Sequence, residues 1–290
     1  MSESILLIGH PSYLKYLSKS LIFFGSSFEY LVEERYKSIF IKEYGPNCDN
    51  VLFIDSFSNP LVTEFFKKKV YSYIFVYIFS LKVPEDLFRK VKKGAYNIHP
   101  SYLPAFSGPD PWFWAIRKQV EYGGVSLHIL TDDYDAGDII AQVKIPFHPL
   151  ETAGTYKSKC HASLTKLMHL AYDNLHNNVT PVVQNDRLYF KKPSANDCII
   201  NWNYNARDIH ALVRACNPDK SCITRLNNRL CEILEISITK KKASIPGHIF
   251  VANNRVLVAC NDYYVSINLL FVNPDGFFSG STFINHTNLG

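Results

Sequence analysis

Tyr96-Asn97-Ile98-His99-Pro100-Ser101-Tyr102-Leu103-Pro104, read together with Tyr134-Asp135-Ala136-Gly137-Asp138, is the stretch around which the chain is organised. An amide, an imidazole and a carboxylate lie within about forty positions, a separation that one strand–helix–strand unit closes. Asn97 and His99 are two apart, so on an extended strand end they project from one face. Pro100 and then Pro104 block helix continuation behind them. A strand end opening into such a loop is where open α/β sheets place their ligands. Taken alone, these residues fit a structural histidine satisfied by a backbone carbonyl better than a catalytic one.

Working outward, the apolar run Ile5 to Gly9 is followed by the helical spacing Tyr13, Leu14, Tyr16, Leu17, Leu21. Phe28 to Val32 and Val51 to Ile54 read as further strands, and Asn59-Pro60 as a helix entry. Tyr71 to Phe79, nearly all β-branched or aromatic, suits a central strand buried on both faces. Pro84 to Val91 predicts a helix, Ala95 to Ile98 the next strand, and Trp112 to Lys118 another helix. Val125 to Leu130 and Asp138 to Ile145 read as strands, and Thr152 to Asn177 as one long helix. This rhythm predicts a doubly wound, Rossmann-like sheet. Gly9-His10-Pro11-Ser12-Tyr13-Leu14 lacks the second and third glycines of a dinucleotide fingerprint, which excludes an NAD reading.

At 290 residues two domains are expected. The polar stretch Asp186 to Asp197 reads as the linker, giving a catalytic domain over 1–190 and a second domain over 191–290. In the latter, Trp202 to Pro218 predicts a turn, a helix and a stop. Short alternating runs follow (221–226, 230–238, 247–251, 255–259 and 264–271), as in a small β-barrel of oligonucleotide-binding type. The net charge of +5 is uneven: 1–190 hold 20 Lys/Arg against 19 Asp/Glu, and 191–290 hold 11 against 7. That excess leaves room for an anionic partner without establishing nucleic-acid binding. The first residues carry no signal-peptide pattern, and the longest apolar run, Tyr71 to Leu81, is too short for a bilayer. Seven scattered cysteines without a Cys-x-x-Cys pair read as reduced thiols of a cytoplasmic protein. His169 and His176 stand seven residues apart, a helical rise of roughly 10 Å, too far for one metal ion, and no metal site is expected.

Asn97-Ile98-His99-Pro100-Ser101-Tyr102-Leu103-Pro104, Ser107-Gly108-Pro109, Gly124-Val125-Ser126-Leu127-His128 and Asp135-Ala136-Gly137-Asp138-Ile139 together resemble the folate-dependent formyltransferases. That family includes methionyl-tRNA formyltransferase and the sugar N-formyltransferases, and Trp202 to Pro218 is similar to the start of the C-terminal domain of the former. The resemblance implies formyl transfer from 10-formyltetrahydrofolate to a primary amine, with Asn97, His99 and Asp135 catalytic. It also implies folate contacts at Ser80, Leu81 and Val83, at Ser101, Tyr102, Leu103 and Pro104, and at Asp132 in the 132–135 loop.

The chemistry of the residues agrees. Formyl transfer passes through a tetrahedral oxyanion and needs a donor for it and a group that moves a proton from attacking to leaving nitrogen. Asn97 is an uncharged donor, His99 titrates near neutrality, and Asp135 can orient the imidazole or stabilise its charge.

Three features depart from the family pattern. Ser80 stands where a glycine is usual, Gly108-Pro109-Asp110-Pro111-Trp112-Phe113 replaces the usual Gly-Ala-Ala-Pro, and Glu33 to Asn50 is short where the tRNA enzymes carry a basic insertion. The last two favour a small amine, such as a nucleotide-linked amino sugar or an amino-acid derivative, over methionyl-tRNA. The lysine run Lys240-Lys241-Lys242 pulls weakly the other way, being commonly a solvated turn. A folate hydrolase and a catalytically inactive folate-binding module are the other readings.

Overall fold

The computed structural model describes residues 3–25 and 27–287. The chain forms two compact units, Met1–Gly108 with Gly123–Pro146 and Ser158–Phe190, and Pro109–Tyr122 with Phe147–Lys157 and Lys191–Gly290. Two segments from the first 190 residues thus cluster with the C-terminal portion.

The first unit is a seven-stranded sheet. Its elements are β1 (Ser4–Gly9), α1 (Pro11–Ser20), β2 (Ser27–Glu33), α2 (Lys37–Tyr44), β3 (Val51–Ile54), α3 (Pro60–Lys68), β4 (Tyr73–Tyr77), α4 (Glu85–Phe88) and β5 (Gly94–His99). After α5 (Pro111–Arg117) come β6 (Tyr122–Ile129), β7 (Ile139–Pro146), α6 (Ala153–Ala162) and α7 (Leu164–His176). The strand order is β3-β2-β1-β4-β5-β6-β7; β1 to β5 run parallel and β6 pairs antiparallel with β5. Order reverses between β1 and β4, the switch point beside which such sheets bind ligands at the strands' carboxyl ends.

Alternation along β1 sends Ile5 and Leu7 into one core, with Leu14, Leu17 and Met168, and Leu6 and Ile8 into the other, with Val62 and Ile74. All five residues of β4 are buried, as their composition predicts for a strand covered on both faces. Asn59 caps α3, its side chain accepting from the Leu61 amide at 3.0 Å.

Two helix expectations are corrected. The 152–177 helix is broken at Ser163, whose hydroxyl bonds back to the Lys159 carbonyl at 2.8 Å, the local competition by which serine bends helices. The helix after Pro84 is a single turn, and α2 occupies a region to which the sequence reading gave no element.

The second unit carries α8 (Ala206–Cys216) and an antiparallel, barrel-like sheet of β8 (Ile223–Leu226), β9 (Arg229–Lys242), β10 (Ile249–Ala252), β11 (Arg255–Ala259), β12 (Tyr263–Val272) and β13 (Gly276–Ser279), ending in α9 (Gly280–Thr287). β12 is the hub: it pairs β9 along one edge and β11, then β13, along the other. Lys240, Lys241 and Lys242 close β9 and are not a turn; Lys241 Nζ lies 3.6 Å from the Phe250 ring centroid. α5 packs on α8, with Gln119 Nε2 donating to Asp208 Oδ1 at 2.8 Å, which is why 109–122 belongs to this unit. No helix among the described residues is long and apolar enough to cross a membrane. All seven cysteines are free thiols, six of them buried.

Candidate active site

β5 turns Tyr96 and Ile98 into the core and Asn97 and His99 to the other face, where both reach one carboxylate. Asp135 Oδ1 lies 3.3 Å from His99 Nδ1 and accepts from Asn97 Nδ2 at 3.3 Å. Asp135 Oδ2 accepts from the Gly108 amide at 2.7 Å. The three sequence-predicted catalytic residues therefore meet in one constellation, with His99 and Asp135 buried and Asn97 half-buried.

The backbone around them is constrained. Asp135 itself is left-handed (φ 53°), as are Phe106 (φ 58°) and Ile78 (φ 52°) in the neighbouring loops. Such outliers, each costing on the order of 1–3 kcal/mol, persist where the surroundings over-determine them, and they concentrate at functional sites. Gly108 (φ 101°) has no room for a side chain, since a Cβ would sit 2.3 Å from the Phe190 carbonyl oxygen.

His99 is 5 % exposed, and its Nε2 donates to the Phe106 carbonyl at 2.9 Å. With an oxygen acceptor at each ring nitrogen, the imidazole is satisfied only when both carry protons. Burial opposes that charge; the Asp135 charge and hydrogen bond, helped by the Phe106 carbonyl, outweigh it and raise the pKa above its ordinary 6.5. Burial likewise pushes the Asp135 carboxyl up, while the charge and hydrogen bond of His99 and the Gly108 amide hold it well below the usual carboxylate range.

A second histidine was not assigned from sequence. His128 stands opposite Asn97 in the β5–β6 register, donates from Nδ1 to the Ile129 carbonyl at 2.8 Å, and accepts from Asn97 Nδ2 at 3.0 Å on Nε2. Burial drives its pKa down to about 4, so it stays neutral and its tautomer is fixed by these partners. Asn97 consequently spends both amide hydrogens, on His128 and on Asp135, and its orientation is determined.

Gln184 was also not found: its Nε2 donates to the Asp135 and Gly137 carbonyls at 3.0 and 2.6 Å, and Arg187 Nη1 to the Tyr134 carbonyl at 2.9 Å. These side chains strap the acidic loop from a polar segment that carries no periodic or motif signal.

The loops expected to meet folate surround the constellation. Leu103 is buried and its amide donates to Ser126 Oγ at 3.1 Å; Ser101 Oγ closes the turn onto the Ala105 carbonyl at 2.7 Å, with Tyr102 and Pro104 half-buried beside them. Lys82 Nζ pairs with Asp132 Oδ1 at 2.7 Å, tying the 80–83 loop to the 132–135 loop. Val83 is buried and Leu81 half-buried. Ser80 is held through its side chain: its Oγ donates to buried Glu33 Oε2 at 2.9 Å, and Arg35 Nη2 reaches the same carboxylate at 2.6 Å. The left-handed residue of that loop is Ile78, so Ser80 needs none of the backbone freedom of the glycine it replaces. No cluster among the described residues has the makings of a metal site.

Comparison with known proteins matches both portions of the chain. The formyl transferase family model matches residues 57–171, and the model of the formyl transferase C-terminal domain matches residues 192–285. Bifunctional polymyxin resistance protein ArnA of Wigglesworthia glossinidia brevipalpis is 28% identical over 224 residues, 75% of this chain and 32% of that protein. Methionyl-tRNA formyltransferase of Lachnospira eligens is 25% identical over 205 residues, 67% of this chain and 65% of that enzyme. The chain thus spans about a third of the first relative and just under two thirds of the second. Among solved structures, HypX from Aquifex aeolicus in complex with tetrahydrofolic acid superposes with a TM-score of 0.69 at 15% identity, over 99% of this chain and 47% of that one. WlaRD, a sugar 3N-formyl transferase solved with dTDP and 5-N-formyl-THF, superposes with a TM-score of 0.64 at 15% identity, over 92% and 98%. With both of its portions matched and the constellation in place, the chain belongs to the formyl transferase family.

Proposed function

We propose that this protein is a 10-formyltetrahydrofolate-dependent N-formyltransferase acting on the primary amine of a small molecule. The observation that carries the reading is the Asn97–His99–Asp135 constellation, with an imidazole whose pKa is raised held at the carboxyl end of β5. In the transfer the amine nitrogen attacks the formyl carbon, the new C–N bond forms, and the bond from that carbon to N10 of the folate breaks. The amine loses a proton and the leaving nitrogen gains one. His99, with Asp135 behind it, supplies a positive charge beside the developing oxyanion and a proton at Nε2 once the Phe106 carbonyl is exchanged for substrate. Asn97 adds a donor only after its amide turns away from Asp135 or His128. No nucleophilic side chain is required.

The catalytic portion, 1–190, would hold the folate between the 80–83, 101–104 and 132–135 loops, with the chain acting in the cytoplasm. A small acceptor is supported by the likeness to WlaRD along nearly its whole length, and by a short turn and α2 in place of a basic insertion over 34–44. The second reading, methionyl-tRNA as acceptor, is favoured by the 25% identity to a methionyl-tRNA formyltransferase.

The test is release of tetrahydrofolate from 10-formyltetrahydrofolate in the presence of amino-sugar nucleotides, amino acids and methionyl-tRNA in parallel. Release with an amino-sugar nucleotide, abolished in His99→Ala, is expected. Equal release without any amine would install a hydrolase, and none with any acceptor a binding module.

A further inference from the structure

The second unit contains a cavity of about 650 Å³ that formyl transfer does not use. Its size suits a small-molecule ligand. One wall is α8, which presents Arg207, His210 and Arg214 to it. Their spacing of three and four residues puts them on one face of the helix. The rest of the lining is mixed: Phe147, Ile238 and Tyr263 are apolar or aromatic, and Glu121, His148 and Glu151 are polar.

The charges here are unequally committed. Of the three carboxylates that line the cavity, Asp262 accepts from the Ala206 amide at 2.7 Å and the Tyr263 amide at 2.8 Å, Glu151 accepts from the His148 amide at 3.1 Å, and Glu121 is exposed. Arg214 donates through Nη1 to the Glu151 carbonyl at 2.7 Å, yet its buried Nε finds no acceptor among the described residues. A buried guanidinium donor without an acceptor is unfavourable, and packing alone does not call for one. Burial also holds the Arg214 pKa below its ordinary value and brings His210 down to about 4, so an arriving anion finds a half-buried guanidinium and a neutral imidazole beside the exposed guanidinium of Arg207.

From the guanidinium-bearing helix face, the unmet Arg214 Nε donor and the rings of the lining, we infer that this cavity binds a mononucleotide-type ligand. Its phosphate meets Arg207 and Arg214 and its planar base lies against Tyr263 and Phe147. Guanidiniums are the side chains suited to bidentate phosphate contacts, and a base stacks on an aromatic face without reading sequence. The site is separate from the Asn97–His99–Asp135 constellation and does not depend on the acceptor proposed above.

Calorimetry on the full chain with uridine and adenosine monophosphates, and with inorganic phosphate, tests the assignment. Both nucleotides are expected to bind, inorganic phosphate at least tenfold more weakly. Arg207→Ala, at an exposed position, and Arg214→Gln are each expected to weaken the nucleotides about ten- to a hundredfold, the loss of one charge-assisted hydrogen bond. Arg207→Lys should recover part of the affinity, and Asp135→Asn should change nothing. No binding of either nucleotide, or phosphate binding as tightly as they do, overturns the inference. So does nucleotide binding that survives Arg207→Ala but is lost in Asp135→Asn, which would locate it at the formyl-transfer site. A 5′-phosphorylated oligonucleotide that binds more tightly than the mononucleotides would replace the site with a nucleic-acid surface.

Discussion

Exchanging Asp135 for Asn keeps the side chain's size and one acceptor for the Gly108 amide while removing the charge that His99 faces at 3.3 Å. His99 has a folded pKa above its unfolded value of about 6.5, so its share of stability is complete below that pH and is lost as pH rises through the folded value. Asp135 has a folded pKa below its unfolded value of about 3.9, so its share is complete above that pH and is lost as pH falls through the folded value. The pair is therefore most stabilising between roughly pH 4 and 6.5. Within that window, removing one partner of a buried, hydrogen-bonded pair costs about 3–5 kcal/mol. At pH 9, above the unfolded value, the charge's share of stability is smaller, so the cost of the exchange should fall towards that of a neutral hydrogen bond, about 1 kcal/mol. Urea unfolding of wild type, Asp135→Asn and His99→Gln at pH 5.5 and pH 9 reads the difference. His128 runs the opposite way, losing stability as pH falls from 6.5 towards its folded value of about 4. Being neutral in all three folded proteins at pH 5.5, it cancels. The same destabilisation at both pH values, or a wild-type His99 imidazole titrating by NMR at or below 6.5, would refute the charged-pair reading. Turnover in Asp135→Asn should fall about 10²- to 10⁴-fold, the usual contribution of proton transfer.

His128→Leu should leave one Asn97 amide hydrogen without its acceptor, lowering stability by about 1–3 kcal/mol in denaturant melts and reducing turnover while folate affinity is kept. Ser80→Gly removes one hydrogen bond to a buried carboxylate, so a loss of about 1.5–3 kcal/mol is expected, with the Glu33–Arg35 pair surviving; an unchanged melting midpoint would mean the Ser80 hydroxyl contributes nothing. Lys240→Ala, Lys241→Ala and Lys242→Ala together should cost only the Lys241 ring contact, about 0.5–1 kcal/mol, and leave small-amine turnover unchanged. If tRNA is the acceptor, the same triple variant should weaken its binding and flatten its salt dependence by roughly one unit of slope per lost phosphate contact. A chain ending at Phe190 should still bind 10-formyltetrahydrofolate by calorimetry, but with a lower melting temperature, because it uncovers Pro111, Trp112, Phe113, Ala115 and Ile116 of α5.

Much of this protein is written in local sequence. Proline behind His99, glycine at 108 and the period-two alternation of β5 determine that an amide and an imidazole share a face at a strand end, because φ/ψ restriction and pleat are properties of single residues and their neighbours. The doubly wound sheet and the alternating strands of the second unit are legible for the same reason. Tertiary structure decided the rest. That His128 faces Asn97 follows from a strand register, and that Gln184 holds the Asp135 loop follows from a segment returning 49 positions later; neither leaves a periodic trace. The raised pKa of His99 is likewise not a property of histidine. It arises because folding places Asp135 and the Phe106 carbonyl at its two nitrogens, where burial makes their field strong enough to outweigh the loss of water. The break at Ser163 and the grouping of 109–122 with α8 were settled in the same way, by a hydroxyl bonding back to a carbonyl and by an apolar helix face finding its cover far along the chain.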